Sequence, residues 1–132
     1  MKTISLIFPV LLFSACQESL SQRAAREAAE YTRKNCPTPV VNSTRTDSVV
    51  FDMATNTYHY YCSACGVMDN KAIIDANRDK LEEGLRKSIN ETTGLKIYKK
   101  EGFNFAWTLR SDSHPETILF EKTFTPKEYD RQ

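Results

Sequence analysis

Residues 103–110 read Phe103-Asn104-Phe105-Ala106-Trp107-Thr108-Leu109-Arg110, with a large apolar side chain at every second position. That period of two sends Phe103, Phe105, Trp107 and Leu109 to one face of a β-strand and their neighbours to the other. It is the clearest strand signal in the chain. Downstream, Ser111 to Glu116 is polar and contains Pro115, which suits a turn. Ile118, Phe120 and Phe124 then return as a second strand, with Lys122 interrupting its apolar face and Pro126 ending the pairing. Residues 103–124 therefore read as a hairpin.

The same pattern occurs earlier. Val49, Phe51 and Met53 alternate with Val50 and Asp52, and Ala54-Thr55-Asn56 is a turn candidate. Tyr58, Tyr60 and Cys62 then alternate with Thr57, His59 and Tyr61, so a first hairpin spans 49–62. Ser63 to Asn70 reads as a loop. Helical spacing precedes and separates the hairpins. Leu20, Ala24, Ala28 and Tyr31 recur on one face of a helix opened by Ser19 and Gln22 at capping-box spacing, and Pro37 and Pro39 close it. A second helix runs from Lys71 to Asn90, with Asp69 or Asn70 as cap. Its apolar stripe is Ile74, Leu81, Leu85 and Ser88 or Ile89, its charged face Asp79, Glu82, Glu83, Arg86 and Lys87, and Gly94 stands at its exit. The order helix, hairpin, helix, hairpin predicts a two-layer α+β domain: an antiparallel four-stranded sheet with two helices on one face.

The first sixteen residues do not fit this domain. Lys2 precedes an apolar run from Ile4 to Phe13 that is too short to stay as a membrane span, and Ser14-Ala15-Cys16 follows. This resembles a bacterial lipoprotein signal, which implies residues 1–15 as a removable leader and Cys16 as the lipidated first residue of a single domain over 16–132. An ordinary secretory signal, with Cys16 a free thiol, is the alternative. Two or three acyl chains anchor a protein stably where one does not. Gln17 in second place, not Asp, matches the enterobacterial rule for outer-membrane sorting. About three residues separate Cys16 from the first helix, a reach of roughly 10 Å, so the domain should sit close to its membrane.

The 132 residues carry 18 Lys and Arg against 17 Asp and Glu, a net charge of +1. Losing the leader removes Lys2 and leaves no formal charge. No basic tract remains to bind anionic lipid or nucleic acid. A hydrophobic share of 40% with only 4 Gly and 5 Pro excludes a disordered chain.

Catalytic motifs are missing: there is no nucleophile elbow, no zinc-protease helix motif and no phosphate-binding glycine loop. The sequence thus predicts no enzyme and no cofactor. Cys62-Ser63-Ala64-Cys65 has the spacing of a redox pair, but it follows a strand into a loop, whereas such centres open a helix. With Cys16 lipidated, Cys36, Cys62 and Cys65 are an odd set: Cys36 could bridge Cys62 or Cys65, or all three could stay free thiols. His59 lies near Cys62 and Cys65, yet a zinc site needs four ligands and His59 and Cys62 point to opposite faces, so no metal is expected. Trp107 reads as core. Tyr61, facing away from Tyr58 and Tyr60, is the better candidate for a partner contact. Arg45 and Asp47 sit two apart on one side of an extended segment, where they could recognise a partner, pair with each other or pair with a helix end.

Several short motifs together resemble a family of small bacterial envelope proteins of uncharacterised function. They are Pro37 to Val41 after the first helix, Thr44-Arg45-Thr46-Asp47-Ser48, Tyr58-His59-Tyr60, Gly102-Phe103-Asn104-Phe105-Ala106-Trp107, and Thr125-Pro126-Lys127-Glu128. The similarity spans about Ala25 to Tyr129. Many relatives carry a cysteine after the second helix and another at the chain end, where this sequence has Thr92-Thr93 and Tyr129. The resemblance therefore implies that any bridge here uses Cys36, Cys62 or Cys65. It supplies no activity. The expectation is an envelope lipoprotein that binds the membrane through its anchor, with an envelope protein as partner. A thiol-redox protein using Cys62 and Cys65, or an immunity-type lipoprotein, are the alternatives.

Overall fold

Ser19 opens the first helix as its spacing predicts. Its hydroxyl accepts from the Gln22 N–H at 3.1 Å while the Gln22 side chain accepts from the Ser19 N–H at 2.9 Å. The two bonds satisfy donors that the helix start would otherwise leave bare. The structure, a computed structural model, describes residues 17–130. The expected leader, residues 1–15, and the expected lipid-bearing Cys16 lie outside the described residues.

Helix α1 (Leu20–Asn35) buries Ala24 and Ala28 completely. Tyr31, the fourth member of the expected stripe, is 42% exposed. Strand β1 (Thr44–Asp52) and β2 (Thr57–Ala64) pair antiparallel around a turn in which Asn56 takes φ 51°. Met53 belongs to that turn, not to the strand. Conversely, β1 starts earlier than its apolar pattern suggests, because Thr44 to Ser48 pairs with β2 across a bulge between Thr46 and Ser48.

The expected second helix is two helices. Asn70 caps α2 (Lys71–Ala76), accepting from the Ala72 and Ile73 N–H groups, and α3 covers Arg78–Glu91. The break falls at Asn77, whose side-chain amide bonds back to the Ile73 carbonyl at 2.8 Å. Such a local bond offers the backbone an alternative to continuing the helix. Gly94 lies in a 3-10 turn that leads into α4 (Lys96–Lys100), an element without a sequence signal. Strands β3 (Asn104–Ser111) and β4 (Ile118–Phe124) form the second hairpin, and Pro126 both ends β4 and opens α5 (Pro126–Tyr129).

The sheet order is β1-β2-β3-β4. The α+β class and four strands are as expected, but the sheet is mixed: β2 and β3 run parallel. Residues 65–103 carry α2, α3 and α4 from one end of the sheet back to the other, so β3 begins beside the start of β2. A helical crossover of that length permits parallel pairing, which a tight turn cannot.

One register row, Phe51, Tyr58, Phe105 and Phe124, crosses all four strands with every member at most 7% exposed. Around it Ala24, Ile89, Tyr98 and Tyr129 close the main core from the helical side. A second cluster joins Ile74 to Ala64, Leu109, Leu119 and Phe120. The opposite sheet face carries Val50, His59, Ala106 and Thr123 in register. Lys122, which interrupts the apolar face of β4, is held there by Glu128 at 2.7 Å and lies 5.5 Å from the Phe124 ring centre.

Candidate functional site

The two long helices do not cover the sheet evenly. Thr32 ties α1 to the outer edge of β1, its hydroxyl donating to the Val49 carbonyl and accepting from the Val49 N–H, both at 2.8 Å. Helix α3 is tied to the other side, where Arg86 and Asn90 donate to the Glu128 and Tyr129 carbonyls at 3.0 and 2.9 Å. Between them the floor over β2 and β3 is left open as a groove.

Two cavities of about 530 and 350 Å³ make up this groove, and they share Thr46, Leu85 and Trp107. Tyr60 and Trp107 face each other across the parallel strand pair and stack at 4.7 Å with planes 7° apart. Trp107, expected in the core, is half-buried and forms the floor. The α1 wall presents Glu27 and Tyr31 to the upper cavity, and the α3 wall presents Leu81, Gly84, Leu85 and Ser88 along the two.

Glu27, the one acid among the described residues that line the upper cavity, is already engaged. Tyr98 donates to Glu27 Oε2 at 2.5 Å and Arg23 to Oε1 at 2.8 Å. Burial pushes the Glu27 carboxyl up, but these two donors outweigh it and hold it below its ordinary value. Burial also pushes Tyr58 up to about 12, so its phenol stays neutral. The lining is thus mostly apolar and aromatic, a surface for burying an apolar segment rather than for moving protons.

The residues singled out from sequence fall elsewhere, apart from Trp107, Tyr58, Tyr60 and Cys62. Arg45 pairs with Asp47 at 2.8 Å and with Asp112 at 2.9 Å, and Asp47 also accepts from the Ser63 hydroxyl at 2.5 Å. This network pins the start of β1 to β2 and to the β3–β4 turn. Tyr61 lies on the opposite sheet face, as the alternation predicts, stacked on His59 at 4.1 Å. The His59 ring nitrogen Nε2 bonds Thr108 Oγ1 at 2.8 Å, and Thr108 donates to Glu121 at 3.1 Å.

Cys36, Cys62 and Cys65 are free thiols. Cys62 lines the lower cavity, whereas Cys65 is buried beside Arg45. Burial raises Cys62 to about 11 and also raises Cys65, although Arg45 pulls the latter down. A redox thiol needs the opposite shift. Among the described residues no group of three or more His, Cys, Asp and Glu is placed to hold a metal ion. No described helix is long and apolar enough to cross a membrane.

Sequence reasoning missed Thr32, Glu27, Gly84 and Tyr98. Tyr31 carried a signal, because it was the bulkiest member of the α1 stripe and the one furthest from the capped start.

These features define a two-layer α+β domain with a helix-walled, aromatic-floored groove. The chain belongs to the family described as Domain of unknown function (DUF8479), whose model matches residues 19–120. None of the curated proteins matches the sequence. Solved structures share the fold at low identity. A Pseudomonas aeruginosa protein described as secreted aligns with TM-score 0.65 and 11% identity over 86% of this chain and 99% of its own. The pilotin EpsS of the Vibrio vulnificus type 2 secretion system aligns with TM-score 0.64 and 10% identity over 85% and 93%. The type II secretion pilotin AspS of Vibrio cholerae gives 0.57 and 12% over 82% and 90%.

Proposed function

We propose that the protein is a non-enzymatic accessory module of the bacterial cell envelope, anchored by lipid at Cys16 in the outer membrane, that grips an apolar helix of an envelope protein in the groove between α1 and α3. The observation that carries this reading is the open floor itself. Two aromatic rings, Tyr60 and Trp107, stack where a third helix would complete the layer. Half-buried aromatics in a concave, mostly apolar setting are the residues that dominate binding energies.

The comparisons support the reading, since two structures of the same fold are pilotins of type II secretion systems. The tether fits as well. Ser21 Oγ lies 3.3 Å from Asn56 Oδ1, so α1 begins beside the β1–β2 turn. A lipid at Cys16 would hold that end of the domain toward the bilayer and leave the groove running away from it.

A photo-crosslinking residue placed at Tyr31 in the groove, and in a second strain at Val50 on the opposite sheet face, tests the proposal in living cells. Both positions are exposed, at 42% and 49%. The groove probe should join the protein to one discrete envelope protein, and Trp107→Ala in the same strain should abolish the product. Crosslinks from Val50 with none from Tyr31 would move the binding face to the other side of the sheet and end this reading. Mass spectrometry of the mature amino terminus tests the anchor separately, and an unmodified Cys16 would overturn it.

A further inference from the structure

Gly84 stands in the middle of α3, where glycine weakens a helix relative to alanine. Nothing in the fold requires it. A Cβ built at Gly84 meets no atom within 4 Å, and its backbone is ordinary right-handed helix. The position nevertheless has a definite place. Lys80, Gly84 and Ser88 follow one another at four-residue spacing along the groove side of α3, and Gly84 shares the lower cavity with Trp107, Leu109 and Phe120.

We infer that Gly84 is the specificity-determining position of the groove, a recess that admits one large apolar side chain from the partner's helix. This rests on the proposed docking function and adds what the groove selects. A helix is the occupant because the floor offers no backbone to an extended chain. Strand β2 is already paired with β1 and β3, and β3 with β2 and β4. An extended segment would enter an apolar groove with its peptide groups unpaired, whereas a helix satisfies its own. The α3 wall from Lys80 to Thr92 is about 18 Å long, which matches a little over three helical turns. With Glu27 already bonded to Arg23 and Tyr98, the face of that helix turned to the floor is apolar.

The test uses three synthetic amphipathic peptides of about four turns that differ at the central position of the apolar stripe: alanine, leucine or tryptophan. Their binding to the purified protein is followed by fluorescence anisotropy. The wild-type protein should prefer leucine and tryptophan over alanine by about tenfold or more, as expected for burying several extra carbons. Gly84→Ala should raise the melting temperature by a few degrees yet erase most of that preference. Gly84→Leu should keep its circular dichroism and lose binding of all three peptides.

Each failure reads differently. A lowered melting temperature in Gly84→Ala would mean that the fold itself needs the glycine, and the inference falls. Equal binding of the three peptides, unchanged in both variants, overturns the recess while leaving the groove as a docking site. No binding of any peptide to the wild-type protein, together with no groove crosslink from Tyr31, overturns both.

Discussion

Breaking the Tyr98–Glu27 bond should loosen α1 from α4 by a predictable amount. Tyr98 is 1% exposed and donates to a carboxylate 71 residues earlier in the chain, so the bond is a tertiary clamp on the upper end of the groove. A hydrogen bond to a charged group contributes about 1.5–3 kcal/mol. The Glu27 side chain is 35% exposed and keeps its Arg23 partner, which puts the coupling at the low end, about 1–1.5 kcal/mol. Tyr98→Phe, Glu27→Gln and the double variant form a cycle that isolates this value from urea unfolding. Tyr98→Phe alone should lower the melting temperature by roughly 5 °C for a domain of this size. The pH dependence has a definite sign. The carboxyl of Glu27 is held below its ordinary 4.5, so its contribution is complete above that pH and is lost as pH falls through the lower folded value. The coupling should therefore be present at pH 7 and fade in strong acid. A coupling below about 0.3 kcal/mol at pH 7, or one unchanged at pH 2, would refute the clamp.

Three further outcomes can be checked. Arg45→Ala removes both ion pairs of a half-buried guanidinium and should cost about 1–2 kcal/mol by urea unfolding, with Arg45→Lys recovering only part because a lysine lacks the planar fork. Burial depresses His59 against the opposite pull of Glu121 and Asp52, so its stabilising contribution is full above the unfolded value near 6.5 and is lost as pH falls. Melting temperatures should thus drop from pH 7.5 to 5, and His59→Gln should flatten that drop. With Cys62 near 11, only about 0.1% of the thiol is ionised at pH 8, so alkylation should run roughly a hundredfold slower than for a free cysteine. Rapid labelling of Cys62, or a reversible Cys62–Cys65 bridge, would restore the redox alternative.

Both hairpins were legible because strict alternation in Phe103 to Leu109 and Tyr58 to Cys62 leaves one apolar face and no other way to bury it. The start of α1 was legible from Ser19 and Gln22 for the same local reason. What was illegible depends on contacts distant in sequence. Thr44 to Ser48 has too few apolar residues to announce a strand, and it is held as one by pairing with β2 and by Asp112, 67 residues from Arg45. The break at Asn77 turns on one side-chain amide choosing a carbonyl four residues back. Helix α4 exists because Tyr98 and Leu95 fill the core, although its own residues, Lys96-Ile97-Tyr98-Lys99-Lys100, carry little periodicity.

The parallel pairing of β2 with β3 is the most consequential of these, because the groove depends on it. Two hairpins in tandem suggest antiparallel neighbours throughout, and no local residue pattern distinguishes a return by β3 from a return by β4. Had β4 paired with β2, Trp107 would lie one strand further from Tyr60. In the observed register Tyr60 and Trp107 are direct partners, and their stack sits at the centre of the uncovered floor. The crossover that enforces this register also sets the walls. Because 65–103 must climb back along the sheet, α3 is drawn to β4 and α5, while Thr32 keeps α1 on the edge of β1. The same constraint that aligns the two aromatic rings therefore holds the helices apart over them, and the groove follows from the topology rather than from any motif within it.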